Sequence, residues 1–367
     1  MKNKNVDNNI EFQEGTDTLG NHPLDSLLIR PENRSVFEVI RGINQSEPGQ
    51  PKFILDTDIQ RDFAWDCQLQ SKLIESCLMR IPLPVFYFAE QENGNIVVVD
   101  GQQRLTALKN YLADKFALRG LANGSPLPGK KFGDLPPRLQ NRLEDTRLIL
   151  YLIDHKVPEQ AKLDIFERVN SGRPLARQQM RNALHSGPAT RWLREHSEKT
   201  YFLKCTRFGK RAFLQKNMLD REAVNRFCAF TLMGTDKYGG NMDQFLADTL
   251  IRMNEMTGNE LDNLAKKLDN SMRNNYEVFG DKAFQIYEEN RCKISLAYFD
   301  VLSVILSNYP FSKVREKKNK IADAFENLRK NREFAESTTL FMVNADRTEN
   351  VRKRFELTKQ AVDEAMR

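Results

Sequence analysis

The apolar residues of this chain change their spacing at Asp100, and that change constrains the fold more than any other feature of the sequence. The run Ile-Val-Val-Val at 96–99 is β-branched throughout, which is typical of a buried strand. After the short link 100–104, apolar residues recur at helical spacing from Leu105 to Phe116. A buried strand joined to an amphipathic helix by so short a link predicts an α/β unit.

The link 100–104 reads Asp-Gly-Gln-Gln-Arg. Its glycine can adopt a positive φ, its amides donate and accept hydrogen bonds, and its arginine keeps its charge. A cation in the first turn of a helix opposes the macrodipole by about 0.3–1 kcal/mol, so Arg104 fits well beside a bound anion such as phosphate. The same residues also fit a structural interpretation, in which Asp100 caps the helix, Gly101 serves the turn and Arg104 lies on the surface. From spacing alone, both interpretations stay open.

The rest of the sequence predicts two domains. At 367 residues the chain is long enough to bury two cores. Residues 1–26 are mostly polar and predict a disordered tail. Short strand and helix patterns mix over 27–187, whereas the apolar periodicity of 188–367 is almost wholly helical. The predicted fold class is therefore α+β, with an α/β domain followed by an all-helical domain.

Composition excludes several classes of protein. No apolar run approaches the ~18–20 residues that span a bilayer, and the first residues lack the hydrophobic centre of a signal peptide. The five cysteines are scattered without a Cys-x-x-Cys pair, which predicts free thiols rather than a disulfide framework or a zinc site. We therefore expect a cytoplasmic protein without a membrane partner.

Positive charge is concentrated between residues 168 and 211. This segment carries eleven Lys or Arg and two acids, although the net charge of the whole chain is only +6. Such a segment can neutralise several phosphates, and Arg191, Arg194 and Arg207 are the residues predicted to contact nucleic acid. The alternative is a solvated face whose charge is balanced by acids from elsewhere in the fold.

Three segments, in order along the chain, carry a family resemblance. The first begins at Arg61-Asp62-Phe63-Ala64-Trp65, the second is Val97–Leu108 with the link, and the third is Ile165–Leu175. They resemble the ParB-like family with the Asp-Gly-Gln-Gln-Arg signature, which forms the N-terminal domain of GmrSD-type modification-dependent endonucleases and of SspE-type phage-defence proteins.

The resemblance implies an α/β core related to ParB and sulfiredoxin, with a nucleoside triphosphate (GTP, CTP or ATP) and Mg²⁺ at the link. The nucleotide-binding residues that it implies are Arg61, Gly101, Gln102, Gln103, Arg104, Arg168 and Asn170. Asp100 is expected to bind Mg²⁺ or to hold Arg104, and these two are the expected catalytic residues. The structural alternatives are a helix cap for Asp100 and a helix terminus for Arg168 and Asn170.

One position departs from the family pattern. Gln179 precedes Met180-Arg181-Asn182-Ala183, where family members commonly carry a glutamate. A glutamate there could help to hold a metal or to orient water. Its replacement weakens the case for hydrolysis and leaves the case for nucleotide binding unchanged.

The leading hypothesis is a nucleotide-binding switch, or a slow Mg²⁺-dependent NTPase, in a bacterial or phage defence system directed at nucleic acid. Asp154-His155 resembles part of an HNH nuclease motif but falls between a predicted strand and a predicted helix, so the chain is expected to lack an HNH half. The expected partners are nucleotide, DNA, and an effector nuclease acting in trans; a homo-oligomer stays open. The alternatives are a DNA-binding or DNA-sensing protein with a structural link, and a ParB-like nuclease.

Overall fold

The computed structural model describes residues 18–19, 22–23, 28–44, 53–55, 65–91, 94–121, 126–169, 176–208, 218–288, 291–338 and 346–367. The chain divides into two compact units, Met1–Ser171 and Gly172–Arg367. The predicted domain boundary at 187/188 lies further along the chain and stays a prediction. Among the described residues, no helix is long and apolar enough to cross a membrane.

The first unit is built on a five-stranded mixed sheet. Its elements are β1 (Thr18–Leu19), β2 (His22–Pro23), β3 (Ile29–Ser35), α1 (Val36–Asn44), β4 (Phe53–Ile54), α2 (Cys67–Leu78), β5 (Phe86–Glu90), β6 (Ile96–Asp100), α3 (Gln102–Leu112), the 3-10 helix Phe132–Asp134, α4 (Pro137–Glu144), β7 (Arg147–Ile153) and α5 (Glu159–Val169). The strand order is β3-β7-β5-β6-β4. The β3–β7 and β5–β6 pairs are antiparallel, whereas β7–β5 and β6–β4 are parallel.

One face of this sheet forms the apolar core of the first unit. Alternate strand residues such as Phe88, Val98 and Leu150 are buried there together with helix residues such as Leu105 and Leu108. This arrangement follows from the two periods of the sequence, because every second strand residue and one face of each helix point the same way. The core fixes β6 and α3 against each other, and so it fixes the link between them.

The structure confirms the predicted strands at 96–99 and 148–153 and the predicted helix at 67–79. The sequence did not predict β3, which contains Pro31 and several charged residues. Strand β3 lies at the edge of the sheet, with β7 as its neighbour. An edge strand tolerates proline because one row of its N–H groups does not join the sheet, so β3 lacks the usual strand pattern.

The predicted tail 1–26 lies mostly outside the described residues. Within it, β1 and β2 pair antiparallel as a two-stranded sheet. These four residues are paired in a stretch that composition predicts to be disordered. Low hydrophobicity argues against an independent core, but it does not prevent a short backbone pairing.

The second unit is largely helical, as predicted. Its elements are α6 (Arg177–Leu184), α7 (Pro188–Ser197), α8 (Thr200–Thr206), α9 (Leu219–Met233), α10 (Met242–Glu255), α11 (Gly258–Phe279), the 3-10 helix Gly280–Lys282, β8 (Gln285–Glu288), β9 (Arg291–Ile294), α12 (Leu296–Leu306), α13 (Phe311–Lys330), α14 (Arg332–Thr338) and α15 (Thr348–Met366). The antiparallel hairpin β8–β9 corrects the prediction of an all-helical domain. Each of its strands is only four residues long, too short to give a clear alternation.

A buried ion cluster joins three helices of the second unit. Asp300 in α12 is fully buried and accepts hydrogen bonds from Arg226 Nε at 2.8 Å and Nη2 at 2.6 Å. Arg354 Nη2 in α15 also donates to Asp300, at 3.0 Å. Because both arginines are themselves buried, one carboxylate holds α9, α12 and α15 together.

Candidate functional site

The link between β6 and α3 is a tight turn that requires glycine. Gly101 has a φ of 97°, in the left-handed region. A Cβ atom there would lie 2.2 Å from Cδ1 of Phe86, so any other residue would meet both backbone strain and a collision. The last strand residue and the first helix residue are thus separated by this glycine alone.

No side chain among the described residues caps the N-terminus of α3. Gly101 is its N-cap residue, where Asp100 was the alternative, and the first turn of the helix contains no acidic residue. The carbonyl of Gly101 accepts the first helical bond, from the N–H of Leu105 at 2.9 Å. The N–H groups that precede it have no intrahelical acceptor, because helix geometry leaves the first turn without one. Uncapped N–H groups and the positive end of the helix dipole favour an anion.

Each of the two glutamines of the link uses one end of its amide group. Gln102 Nε2 donates to the carbonyl of Val98 at 2.7 Å, and Gln103 Oε1 accepts from the N–H of Trp65 at 3.2 Å. Within the described part of the chain, Gln102 Oε1 and Gln103 Nε2 are buried without a hydrogen-bond partner. A buried polar atom without a partner costs about 1–3 kcal/mol, so a ligand that supplies the partner is favoured. Gln103 Nε2 is a donor and suits a phosphate oxygen.

Arg104 is anchored rather than exposed, with a side chain only 11% accessible. Its guanidinium donates to the carbonyls of Pro84 and Val85, the latter at 3.0 Å, and lies 4.1 Å from the ring centre of Phe86. Nη2 also donates to Oδ2 of Asp100 at 2.8 Å. Burial lowers the pKa of Arg104, and the Asp100 carboxylate opposes that shift. Of the two roles predicted for Asp100, holding Arg104 is the one with a visible contact.

A β-bulge turns Asp100 away from the core. Phe88 pairs with Val98, whereas Tyr87 pairs with Asp100, so β6 accommodates one extra residue between the two pairs. Regular alternation would place Asp100 on the core face with Val98. The bulge sets Asp100 opposite Tyr87, whose face is the other one, and the carboxylate is 31% accessible.

The single carboxylate at the link, that of Asp100, is compatible with a Mg²⁺ site. Protein sites usually hold Mg²⁺ through one or two carboxylates together with substrate phosphates. The described residues also contain one group of three side chains whose ligand atoms lie within 4.8 Å of one another, namely Glu90, Asp154 and His155. Arg30 forms ion pairs with Glu90 at 3.3 Å and with Asp154 at 3.6 Å. The carboxylates of this group therefore already have a cationic partner, and we interpret the group as an ion-pair cluster rather than a metal site.

Two tyrosines that the sequence did not single out lie beside Asp100. Tyr87 pairs with Asp100 on one side and with Tyr151 of β7 on the other. The two rings are stacked, with centres 5.4 Å apart and an angle of 21° between their planes, and both side chains are half-buried. Burial, then Tyr151 and Asp100, raise the pKa of Tyr87. The available signal was a tyrosine between apolar residues in each of two predicted strands, on the face opposite to the core.

The other residues predicted to bind nucleotide do not lie at the link among the described residues. Arg61 and Asn170 lie outside the described residues. Arg168 is exposed in the last turn of α5, where its charge complements the helix dipole. The described nucleotide-binding candidates that lie together are therefore the four consecutive residues 101–104.

Gln179, the departure from the family pattern, has a structural role in α6. Its Oε1 accepts the N–H of Ala176 at 2.7 Å, and the side chain is buried. This is the reciprocal half of a capping box, which glutamate and glutamine fill equally well. The difference in residue type is thus compatible with the same geometry of the helix start.

The basic segment 168–211 is partly neutralised within the second unit. Acids meet several of its charges: Asp243 pairs with Arg177 and Arg181, Asp281 with Arg207, and Glu195 with Lys199. Arg191 is exposed and Arg194 is half-buried. Of the three residues predicted to contact nucleic acid, Arg207 therefore has its charge balanced by Asp281, in line with the solvated-face alternative at that position.

A family model described as the N-terminal domain of the GmrSD restriction endonuclease matches residues 36–186. The matched range contains the link 100–104 and the strands β5, β6 and β7. Among curated proteins and among solved structures, none matches the chain.

Proposed function

From the premise that residues 36–186 belong to the GmrSD restriction endonuclease N-terminal domain family, we propose that the chain binds a nucleoside triphosphate with Mg²⁺ at the link 100–104. Bound nucleotide would act as a switch in a defence system of the restriction type. DNA and an effector nuclease acting in trans are the partners that this proposal assigns to the chain.

The observation that carries the proposal is the uncapped start of α3 next to a buried amide donor. The first-turn N–H groups have no intrahelical acceptor, and no described side chain caps them. Gln103 Nε2 adds a side-chain donor that has no partner among the described residues. Backbone N–H groups, a side-chain amide and the helix dipole together form a site for a phosphate group.

Arg104 and Asp100 would have different parts in this site. Arg104 uses three of its five donor hydrogens on Pro84, Val85 and Asp100, so it mainly holds the link and the start of β5 in place. Asp100 would supply one carboxylate ligand to Mg²⁺. Hydrolysis also needs an oriented water and stabilisation of charge on the transferred phosphoryl group. With one carboxylate at the link, we propose firm binding and slow turnover.

The test is calorimetric titration of ATP, GTP, CTP and UTP, with and without Mg²⁺, against the parent and Gln103→Glu. The substitution keeps the Oε1 acceptor for Trp65 but replaces the donor with a carboxylate oxygen that repels phosphate. We expect at least a tenfold loss of affinity, the ~1.4 kcal/mol at the lower end of the range for a hydrogen bond to a charged group.

The matched control is Gln68→Glu, which adds the same charge at an exposed position of α2. It should leave nucleotide affinity unchanged. Equal affinity in Gln103→Glu and the parent would remove the link from the site, and no binding of any of the four nucleotides would overturn the proposal.

A further inference from the structure

We propose that the stacked pair Tyr87 and Tyr151 is the platform for the base of the nucleotide; this inference rests on the function proposed above. The phosphates would lie at the start of α3 and the base on the sheet face that carries the two tyrosines. The chemical class of the ligand is thus an aromatic nucleobase joined to a polyphosphate, and not a polyphosphate alone.

The spacing of the strands supports this placement. Strand β5 lies between β6 and β7, so Asp100, Tyr87 and Tyr151 form a row across three neighbouring strands. Neighbouring strands are about 4.8 Å apart, which puts Tyr151 about 10 Å from the end of β6. A nucleoside polyphosphate has its sugar between base and phosphates, and it can cover such a distance in an extended form.

The tyrosine pair is partly accessible, although Ala89 and Ile153, two residues further along the same strands and on the same face, are buried. Its rings are on the face opposite to Phe86, Phe88 and Leu150, which fill the core. Ile149, on the same face two residues before Tyr151, is 45% exposed, so this face is not closed over the pair at that end. Because both tyrosine side chains are only partly buried, some of their surface is accessible to a further ring.

The chemistry of the pair fits a base better than it fits a phosphate. An aromatic ring has a negative face, which does not attract anions, but it stacks on any base because every base has a π-face. The Tyr87 hydroxyl can donate or accept a hydrogen bond at the base or the sugar. Larger rings stack over more area, so a purine should bind more tightly than a pyrimidine.

The bulge in β6 links the two halves of the site. It places Asp100 opposite Tyr87, so that the residue assigned to Mg²⁺ and the residue assigned to the base are direct cross-strand neighbours. Bulges are common next to binding sites because they redirect a side chain. Without this bulge, Asp100 and Tyr87 would lie on opposite faces of the sheet.

The experiment compares the binding of ATP, CTP and inorganic tripolyphosphate to the parent, Tyr151→Ala and Tyr151→Phe. Removal of a stacking ring should weaken ATP binding by roughly 5- to 150-fold, since base stacking is worth about 1–3 kcal/mol per base. Tripolyphosphate, which has no base, should bind Tyr151→Ala and the parent equally. Tyr151→Phe keeps the ring and should retain most of the ATP affinity. The preference for ATP over CTP should shrink in Tyr151→Ala.

Tyr201→Ala is the matched control, since Tyr201 is a half-buried tyrosine of the second unit, and it should leave all three affinities unchanged. Unchanged ATP affinity in Tyr151→Ala would overturn the stacking role. An equal loss for ATP and tripolyphosphate would overturn it as well, because it would show a disturbed fold of the link. Failure of tripolyphosphate and of all four nucleoside triphosphates to bind the parent would instead overturn the proposed function, and this inference with it.

Discussion

The two units each contain an aspartate bound by arginine, and the two arrangements differ in access to solvent. In the second unit Asp300 is fully buried, and Arg226 and Arg354 enclose it at 6% and 1% side-chain exposure. In the first unit Asp100 is 31% exposed, and its partner Arg104 is held from behind by backbone carbonyls. The Asp300 carboxylate has no exposed surface, whereas the Asp100 carboxylate is partly accessible to solvent.

This comparison separates a structural ion cluster from a candidate binding site. A buried carboxylate bound by two buried arginines has a structural role. Each charge is removed from water and is stabilised only by its partners, so loss of one partner is costly. A half-exposed carboxylate keeps part of its hydration and contributes less to stability, so it remains available to a ligand. The predictions below test whether the two aspartates differ in this way.

The largest effect is expected for Asp300→Asn. The change removes the buried negative charge between two buried arginines, and it should lower the free energy of unfolding by about 3–5 kcal/mol. Urea denaturation of the full chain, followed by circular dichroism, measures it. The control is Asp346→Asn, because Asp346 is 55% exposed and lies 3.8 Å from each of the same arginines. It should cost less than about 1 kcal/mol. Equal costs would show that the cluster is not enclosed.

Gly101→Ala should have the next largest effect and lower the free energy of unfolding by about 2–4 kcal/mol. A left-handed backbone costs about 1–2 kcal/mol for alanine, and the collision with Phe86 adds an overpacking cost of similar size. The control is Gly94→Ala, whose φ is 79° but which has no described atom within 4 Å of the added Cβ. The difference between the two variants in thermal or urea unfolding isolates the close approach at the link. Identical costs would mean that Phe86 moves aside freely.

Asp100→Asn should have a small effect on stability and a large effect on function. Asp100 is 31% exposed and Arg104 keeps the carbonyls of Pro84 and Val85 as acceptors, so loss of the ion pair is expected to cost about 1 kcal/mol. Loss of the carboxylate should nevertheless abolish any Mg²⁺-dependent increase in nucleotide affinity and any Mg²⁺-dependent phosphate release, measured by calorimetry and a phosphate assay. A stability loss as large as that of Asp300→Asn would break the distinction between the two aspartates.

Replacement of the buried His196 should give the smallest effect. Burial lowers the pKa of His196, whose Nδ1 lies 2.8 Å from the carbonyl of Trp192. The folded state therefore favours the neutral ring. Its stability contribution is fully present above the unfolded pKa of about 6.5, and it is lost as the pH falls from there through the lower folded pKa. Urea midpoints at pH 7.5 and pH 5 should differ less in His196→Gln than in the parent; an unchanged difference would assign the pH dependence to other groups.

Local patterns predicted much of the first unit. The β-branched run before Asp100, the glycine after it and the helical spacing beyond it place β6, the turn and α3 correctly. These features are readable because each depends only on neighbouring residues: strand and helix have different periods, and a left-handed turn needs glycine. The polar edge strand β3 and the short hairpin β8–β9 were missed because neither has a clear period.

The sequence by itself therefore determined the α+β class, the strand–link–helix that carries the candidate site, and the candidate residues 100–104. Tertiary structure alone decided that Arg104 is anchored on Pro84 and Val85, that a bulge turns Asp100 towards Tyr87, and that Tyr151 stacks beside it. It also decided which arginines enclose Asp300, which lie 74 and 54 residues away along the chain. Such contacts leave no local signal, because they form only when distant segments pack against the same sheet or helix.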